Sequence, residues 1–235
     1  MTGMLLFPAM AQDGHAYDLL GLPDARTYVY PGHGARPGRE MTLAELADDA
    51  MAAVTEPVDL VGVALGGIIA QHAIARHPDL VRSAVLANTP GDVSDRARLL
   101  ARAHRTRAYG PDTDELLKRW LRPETIKASG PGVSYVRRVL TEIDWAALAR
   151  IQAAMADHDA MSLLAGTPSP VTFVVGADDH VGVGSTERLA AVFTNARIRR
   201  IPGGHMLHLD NPTEFAEIVR DHVGWVDEIA TRGRS

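Results

Sequence analysis

The sequence predicts an α/β fold, in which a mainly parallel sheet carries helices on both of its faces. Two observations support this prediction. Short apolar runs rich in β-branched residues alternate with longer amphipathic segments, as in a buried parallel sheet with crossover helices. A loop rich in Gly, Pro, Asp or His follows each apolar run. Ligands bind at the carboxyl ends of the strands in such sheets, so we expect the functional residues in these loops.

The candidate strands are six short apolar runs: Met4–Phe7, Thr27–Tyr30, Val58–Val63, Ser83–Ala87, Val171–Gly176 and Ala196–Ile201. The candidate helices that alternate with these strands are four amphipathic segments: Leu43–Val54, Gly67–His77, Ser185–Phe193 and Pro212–Ile229. Residues 91–165 interrupt the alternation, because they contain helical patterns and turn clusters but no convincing strand. We therefore expect a core of residues 1–90 and 166–235, with a helical cap, or lid, of residues 91–165 inserted into it.

Composition narrows the classes of function. The 235 residues are 46% hydrophobic and carry a net charge of -5, with acidic and basic residues interspersed. We expect one soluble domain with no positive field for nucleic acid or a membrane surface. The absence of cysteine excludes disulfides, thiolate metal sites and a cysteine nucleophile. The first residues lack the pattern of a signal peptide or membrane span, so we expect a cytoplasmic protein, and the sequence leaves a homodimer open.

The segment from Val58 to Pro78 contains the most informative motif. A buried strand leads into Gly62-Val63-Ala64-Leu65-Gly66-Gly67, and a helix begins at once. This is the context of the G-x-S-x-G nucleophile elbow, whose flanking glycines let the central residue occupy a strained turn. Ala64 stands at the serine position. A plain glycine-rich turn between strand and helix remains the alternative, and dinucleotide binding is disfavoured because G-x-G-x-x-G is absent.

Two later loops supply a candidate acid and a candidate base. Asp179 follows the strand that ends at Gly176, where a carboxylate would accept a hydrogen bond from a histidine ring. Asp178 is its rival, and either residue could simply cap the loop. His205 follows a strand and two glycines, so that it can project into the crevice as a general base. His208 competes with it, but we expect His208 to pack near the final helix.

The order of elbow, acid and histidine is the chain order of α/β-hydrolases. The sequence resembles the enol-lactonase and esterase-like branch of that superfamily over nearly its whole length. Residues 30–37 resemble the family's D-x-P-G-H-G-x-S loop, with departures at Tyr30 and at Ala35-Arg36. Residues 204–212 resemble its G-H-x-x-x-x-E-x-P tail. The resemblance implies the α/β-hydrolase fold with an inserted helical lid.

The resemblance also implies a mechanism of acyl transfer on a carboxylic ester or lactone. A serine at position 64 would attack the carbonyl, His205 would act as base, and Asp179 would orient the imidazole. The backbone NH groups of Met10 and Leu65 are the candidate oxyanion donors, although Phe7-Pro8-Ala9-Met10 replaces the family's His-Gly pair. No metal or organic cofactor is expected.

The expected substrate is a small or medium ester or lactone with apolar character. The candidate substrate-binding residues are Ala9, His33, Trp120, Tyr135, Trp145 and Met206. Several of them fall in residues 91–165, where packing within the lid is an equally good explanation. Six arginines of that segment are candidates to pair with a substrate carboxylate, although most are expected to be solvated: Arg102, Arg105, Arg107, Arg119, Arg137 and Arg138.

Alanine at position 64 excludes acyl-enzyme chemistry through that residue, because it has no hydroxyl. We favour a hydrolase whose nucleophile is replaced, leaving an inactive, substrate-trapping form, since Asp179, His205 and the elbow glycines all remain. A natural ligand-binding pseudoenzyme is one alternative. Another is a lyase, carbon-carbon hydrolase or cofactor-free oxygenase that uses His205 and Asp179 without a nucleophile.

Overall fold

A computed structural model describes residues 3–181 and 185–232. Residues 182–184, which belong to the predicted loop after the fifth strand, lie outside the described residues, as do 1–2 and 233–235. The strands of the described part are β1 (Met4–Phe7), β2 (Ala25–Thr27), β3 (Val58–Val63), β4 (Val81–Ala87), β5 (Val171–Gly176) and β6 (Ala196–Ile201). They form one parallel sheet in the order β2-β1-β3-β4-β5-β6. The predicted α/β class is confirmed.

The strand order places a crevice beside β1. This strand pairs with β2 on one side and with β3 on the other, and Met4 lies opposite both Ala25 and Asp59. The chain therefore changes direction across the sheet between β1 and β3. Such a switch point opens a crevice at the carboxyl ends of the strands. The loops that follow Phe7 and Val63 border that crevice, because Phe7 pairs with Gly62.

Helices cover the sheet, whose central strands are buried on both faces. The α-helices of the described residues are α1 (Leu43–Met51), α2 (Leu65–Arg76), α3 (Arg96–Tyr109), α4 (Thr113–Trp120), α5 (Pro123–Ala128), α6 (Pro131–Glu142), α7 (Trp145–Ala154), α8 (Thr186–Ala190), α9 (Leu207–Asp210) and α10 (Pro212–Arg232). A capping box fixes the start of α1, because Thr42 and Glu45 each accept a hydrogen bond from the other's backbone NH. Leu60 and Val63 of β3 are fully buried, and burying each such side chain contributes about 1.5–3 kcal/mol.

The predicted position of the second strand was wrong by two residues. The sequence predicts Thr27–Tyr30, whereas β2 spans Ala25–Thr27. The Tyr28 NH still donates to the Leu6 carbonyl at 2.8 Å, but the chain then turns inward. The Tyr30 hydroxyl donates to the Pro8 carbonyl at 2.9 Å and its ring is fully buried. Tyr28 and Tyr30 are buried core residues, and their apolar pattern therefore resembles that of a strand. They nevertheless lie beyond the end of β2.

Other element ends differ less. β4 begins at Val81 instead of Ser83, and α2 begins at Leu65 instead of Gly67. The remaining differences shorten two helices and lengthen one: α1 ends at Met51, α8 spans Thr186–Ala190, and α10 continues to Arg232. These shifts are one to three residues at the ends of elements, where assignments are least certain, and they leave the order of the strands unchanged.

Helices α3 to α7 lie between β4 and β5, in the segment 91–165 that interrupts the alternation. We call this segment the helical insertion. It contains no strand among its residues, all of which are described, and only an isolated bridge joins Asp92 to Asp159. Leu117, Val136 and Leu148 of this segment are buried in the same hydrophobic cluster as the residues of the sheet. Throughout residues 3–181 and 185–232, no helix combines the length and apolar character needed to cross a membrane.

Candidate active site

The turn between β3 and α2 is strained at Ala64. This residue has φ +52° and ψ -113°, a conformation that costs a residue with a β-carbon about 1–3 kcal/mol. Close packing enforces the turn. A β-carbon on Gly66 would lie 1.9 Å from the Phe7 carbonyl oxygen, and one on Gly62 would lie 2.5 Å from the Gly66 carbonyl carbon. An ordinary turn of this kind would favour glycine at the strained position. The backbone at Ala64 therefore has the geometry of a nucleophile elbow.

Ala64 opens into a cavity of about 510 Å³. The cavity lies at the switch point, and Met10, Leu65 and His205 also line it. Residues of the helical insertion form its opposite wall, including Trp120 of α4. The loops after β1, β3 and β6 therefore meet at one cavity, and the helical insertion forms part of its wall.

His205 and Asp179 form a buried pair at this cavity. The Nδ1 atom of His205 lies 3.1 Å from Oδ1 and 3.2 Å from Oδ2 of Asp179, and the two residues are 8% and 9% exposed. Asp179 Oδ1 also accepts a hydrogen bond from the Val181 NH at 2.8 Å. A proton on Nδ1 donated to the carboxylate leaves the lone pair on Nε2, where a general base needs it.

Asp178 is placed differently from its neighbour. It is exposed, and its backbone NH donates to the Gly203 carbonyl at 3.0 Å. This contact joins the acid loop to the loop that carries His205. Of the two candidate carboxylates, the structure therefore places Asp179 beside the imidazole.

Asn88, which sequence analysis missed, connects the acid strand to the histidine loop. It follows β4 with φ +47°. Its Oδ1 accepts from the Gly176 NH at 2.9 Å, and its Nδ2 donates to the Gly204 and His205 carbonyls at 2.9 and 3.0 Å. These three bonds fix the backbone on both sides of the Asp179–His205 pair. The signal in the sequence was a polar residue directly after a buried strand, in the loop that begins Asn88-Thr89-Pro90.

The loop after β1 contributes Met10 to the cavity wall. Gln12 Oε1 accepts from the Ala9 NH at 3.2 Å, and the Tyr17 hydroxyl donates to the Phe7 carbonyl at 2.7 Å. Among the described residues, the backbone NH groups of Met10 and Leu65 donate no hydrogen bond. Both residues line the cavity, so these NH groups are available to a developing negative charge.

His208, the rival histidine, is not among the described residues that line the cavity. It is fully buried, and its Nε2 donates to Gln12 Oε1 at 2.9 Å. Burial lowers the pKa of His208 to about 3, so the ring is neutral at physiological pH. Its ring packs against Tyr17, with 4.9 Å between the ring centroids. Through Gln12, this histidine links the loop after β1 to the loop that carries His205.

Two of the predicted substrate-binding residues, Trp120 and Met206, line the cavity. The Trp120 carbonyl also accepts from the Met206 NH at 3.0 Å, which joins the helical insertion to the histidine loop. Ala9 is fully buried, and its NH donates a hydrogen bond to Gln12 within the loop after β1. It is not among the described residues that line the cavity.

The other three predicted substrate-binding residues lie elsewhere within the described chain. His33 is fully buried with Nδ1 3.3 Å from the Pro31 carbonyl, and burial lowers its pKa to about 4. The Tyr135 hydroxyl bonds to the backbone NH and carboxylate of Asp13 at 3.0 and 3.1 Å. Trp145 is 46% exposed, and its indole lies against Gly110. None of the three is among the described residues that line the cavity.

Comparison with known proteins identifies the family. A model described as alpha/beta hydrolase family matches residues 4–218. The chain belongs to the α/β hydrolase family. The match covers β1 to β6, the elbow, the acid, the histidine and the helical insertion of this hydrolase. The described residues contain no group of three or more His, Asp or Glu side chains that could hold a metal ion.

Individual relatives of this hydrolase are esterases or share their fold. A pimeloyl-[acyl-carrier protein] methyl ester esterase from Chromobacterium violaceum is 48% identical over 67 residues, which is 28% of this chain and 26% of that relative. The esterase of the same name from Aromatoleum aromaticum is 27% identical over 222 residues, covering 84% of this chain and 86% of that one. The enol-lactonase from Burkholderia xenovorans LB400 superposes with a TM-score of 0.86 at 18% identity, covering 95% of this chain and 92% of that structure.

Proposed function

We propose that this α/β hydrolase is the nucleophile-free form of a serine-type hydrolase of carboxylic esters or lactones, which binds its substrate without turning it over. One observation carries the proposal. Ala64 is held at φ +52° in the wall of the cavity that His205 also lines, and His205 bonds to Asp179. The strained turn serves to present a side chain to the cavity, and only the hydroxyl is missing from it.

A serine at position 64 would meet the groups that acyl transfer requires. His205 Nε2 would take the hydroxyl proton as the oxygen attacks the carbonyl carbon. The Met10 and Leu65 NH groups would stabilise the oxyanion of the tetrahedral intermediate. His205 would then give its proton to the leaving alcohol and activate a water molecule that releases the acid. Asp179 would hold the imidazole in the productive tautomer throughout.

The walls of the cavity support an ester or lactone with an apolar part. Met10, Ile68, Leu99, Trp120 and Met155 supply apolar surface near Ala64, and apolar surface of this kind holds the hydrocarbon part of a ligand. The helical insertion, which contributes the last three, acts in this proposal as the lid. The esterases among the relatives are named for a methyl ester, which agrees with carboxylic ester chemistry.

The experiment compares the protein as it stands with its Ala64→Ser variant on a panel of activated esters and lactones. The Ala64 protein is expected to give only the background rate, and Ala64→Ser is expected to hydrolyse at least one substrate class. Adding His205→Ala to Ala64→Ser should remove the gain, by a factor on the order of 10⁴ or more. Equal rates for the Ala64 and Ala64→Ser proteins across the panel would contradict a serine mechanism. Binding of these compounds without any activity in the variant would instead favour a ligand-binding protein.

A further inference from the structure

Four arginines of the helical insertion line the same cavity as Ala64. Arg98, Arg102 and Arg105 are spaced four and three residues apart on α3, so they share one face of that helix. Arg119 joins them from α4. All four are part of the cavity wall. Two separate helices therefore contribute arginines to the wall of one cavity.

These guanidinium groups are unpaired among the residues that the structure describes. Within residues 3–181 and 185–232, none of the four makes an ion pair or a side-chain hydrogen bond, whereas Arg36 bonds to Asp49 with both oxygens at 2.8 Å. Arg102 and Arg119 are also only partly exposed. Burial, reinforced by the charge of Arg119, lowers the pKa of Arg102 to about 10. Burial likewise lowers the pKa of Arg119. A partly desolvated cation without a partner is unfavourable unless an anion joins it.

The carboxylates around the cavity leave this positive charge in place. Asp92 is paired with Arg188 at 2.9 Å, and Asp95 caps α3 by accepting from the Arg98 NH at 2.9 Å. Glu115 also lines the cavity and favours the charged form of Arg102 electrostatically, but it makes no ion pair with it. The unpartnered charges that face the cavity are thus mainly positive.

The arginine group lies next to the catalytic residues. Arg119 directly precedes Trp120, whose carbonyl accepts from the Met206 NH at 3.0 Å. Met206 follows His205 in the chain. The charge of Asp179 also acts on Arg119. A ligand whose carbonyl lies at Ala64 would therefore place its remote end within the reach of these guanidinium groups.

We propose that Arg102 and Arg119, with Arg98 and Arg105 beside them, bind an anionic group of the substrate, a carboxylate or a phosphate, at a distance from the ester or lactone carbonyl. The identity of that carbonyl rests on the proposed function. Planar guanidinium groups match either anion with paired hydrogen bonds. The substrate would then be a charged ester with an apolar middle, held at one end by arginine and at the other by the oxyanion donors.

The test measures binding to the Ala64 protein by calorimetry, where no turnover interferes. Three ligands share one chain length: the dimethyl ester of a straight-chain dicarboxylic acid, its monomethyl ester, and the methyl ester of the matching ω-phosphooxy acid. We expect at least one anionic ester to bind about tenfold or more tightly than the neutral diester. Comparing the two anionic ligands distinguishes carboxylate from phosphate. Equal binding of all three, over several chain lengths, would overturn the proposal.

Glutamine substitutions test whether Arg102 and Arg119 cause the preference for an anionic ligand. Arg102→Gln with Arg119→Gln should remove the preference for the anion, so that neither anionic ester binds more tightly than the neutral diester. Arg107→Gln is the matched control, because it lies on α3 but lines a different cavity. A preference that survives the double substitution would also overturn the proposal.

Hydrolysis of neutral esters by Ala64→Ser without an anion preference would refute this inference alone. Anion-dependent binding with an inert Ala64→Ser would refute the proposed function alone.

Discussion

His205 and Asp179 are joined on one side of the imidazole, with Nδ1 3.1 Å from Oδ1 and 3.2 Å from Oδ2. The carboxylate accepts the Nδ1 proton and so keeps Nε2 free to take a proton. An asparagine at position 179 can donate to Nδ1 and reverse that tautomer. Asp179→Asn in the Ala64→Ser background is therefore expected to lower kcat by about 10⁴-fold with little change in the unfolding temperature. Steady-state kinetics and thermal unfolding check both parts.

Asp178→Asn provides the matched control for that substitution. The side chain is adjacent in sequence but exposed, so its neutralisation should leave kcat within about twofold of the parent, in keeping with the small effects of exposed sites. If Asp178→Asn caused the larger loss of kcat, Asp178 would be the acid and the assignment of Asp179 would be wrong.

Asn88 is expected to act as a positioning residue for the base. Asn88→Gly retains the positive φ but removes three buried hydrogen bonds, to the Gly176 NH and to the Gly204 and His205 carbonyls. The free energy of unfolding should fall by about 2–4 kcal/mol, because buried polar groups lose their partners. In the Ala64→Ser background, kcat should fall while KM changes little. A stability loss with kcat unchanged would mean that Asn88 supports the fold without positioning His205.

The elbow should tolerate no β-carbon at Gly66. Gly66→Ala would place a methyl group 1.9 Å from the Phe7 carbonyl oxygen. Either the end of β1 or the start of α2 must therefore move. We expect a loss of several kcal/mol, about 3 or more. Gly224→Ala is the contrasting change, because nothing lies within 4 Å of the added carbon in α10. It should stabilise the protein by about 0.5–1 kcal/mol. Urea unfolding of both variants checks the pair, and similar losses would contradict the close packing at Gly66.

Acid should destabilise the fold partly through His208. Burial lowers its pKa from 6.5 to about 3, so between these values the unfolded chain binds a proton that the folded chain does not. The free energy of unfolding therefore falls as pH decreases below about 6.5, by about 1.4 kcal/mol per pH unit for one such group. His208→Gln should make this slope shallower by about that amount between about pH 6 and 5. The exposed His15, replaced in the same way, is the control, and equal slopes in the parent and His208→Gln would contradict the prediction.

The sequence predicts the parts of the site that local motifs define. Glycine spacing predicts the elbow, and the order of Ala64, Asp179 and His205 predicts the family, because each motif follows a recognisable strand. The choice between Asp178 and Asp179 requires the structure, since adjacent residues in a loop can each face the crevice. For Asn88 the sequence offers only a polar residue after a buried strand, and its role depends on β4 lying beside β5 and near the histidine loop.

Residues of the helical insertion were harder to predict. Trp120 lines the cavity while Trp145 lies against Gly110, although both are aromatic residues on amphipathic helices. Helical spacing gives the face of each helix that is apolar. It does not give how that helix is rotated relative to the sheet, which is set by packing between elements distant in sequence. For the same reason, the sequence does not distinguish among the six candidate arginines of the helical insertion. In the structure, Arg102 and Arg119 are partly buried and the other four are exposed.

Covalent labelling of residue 64 shows whether the site is complete for serine chemistry except for one hydroxyl. The Ala64→Ser protein is treated with a fluorophosphonate, and the adduct is counted by intact mass and located by peptide mapping. We predict one adduct on the new serine, none at that position in the Ala64 protein, and labelling slowed on the order of 10³-fold or more by His205→Ala. A folded Ala64→Ser protein that forms no adduct at residue 64, or that labels equally fast without His205, would contradict the account.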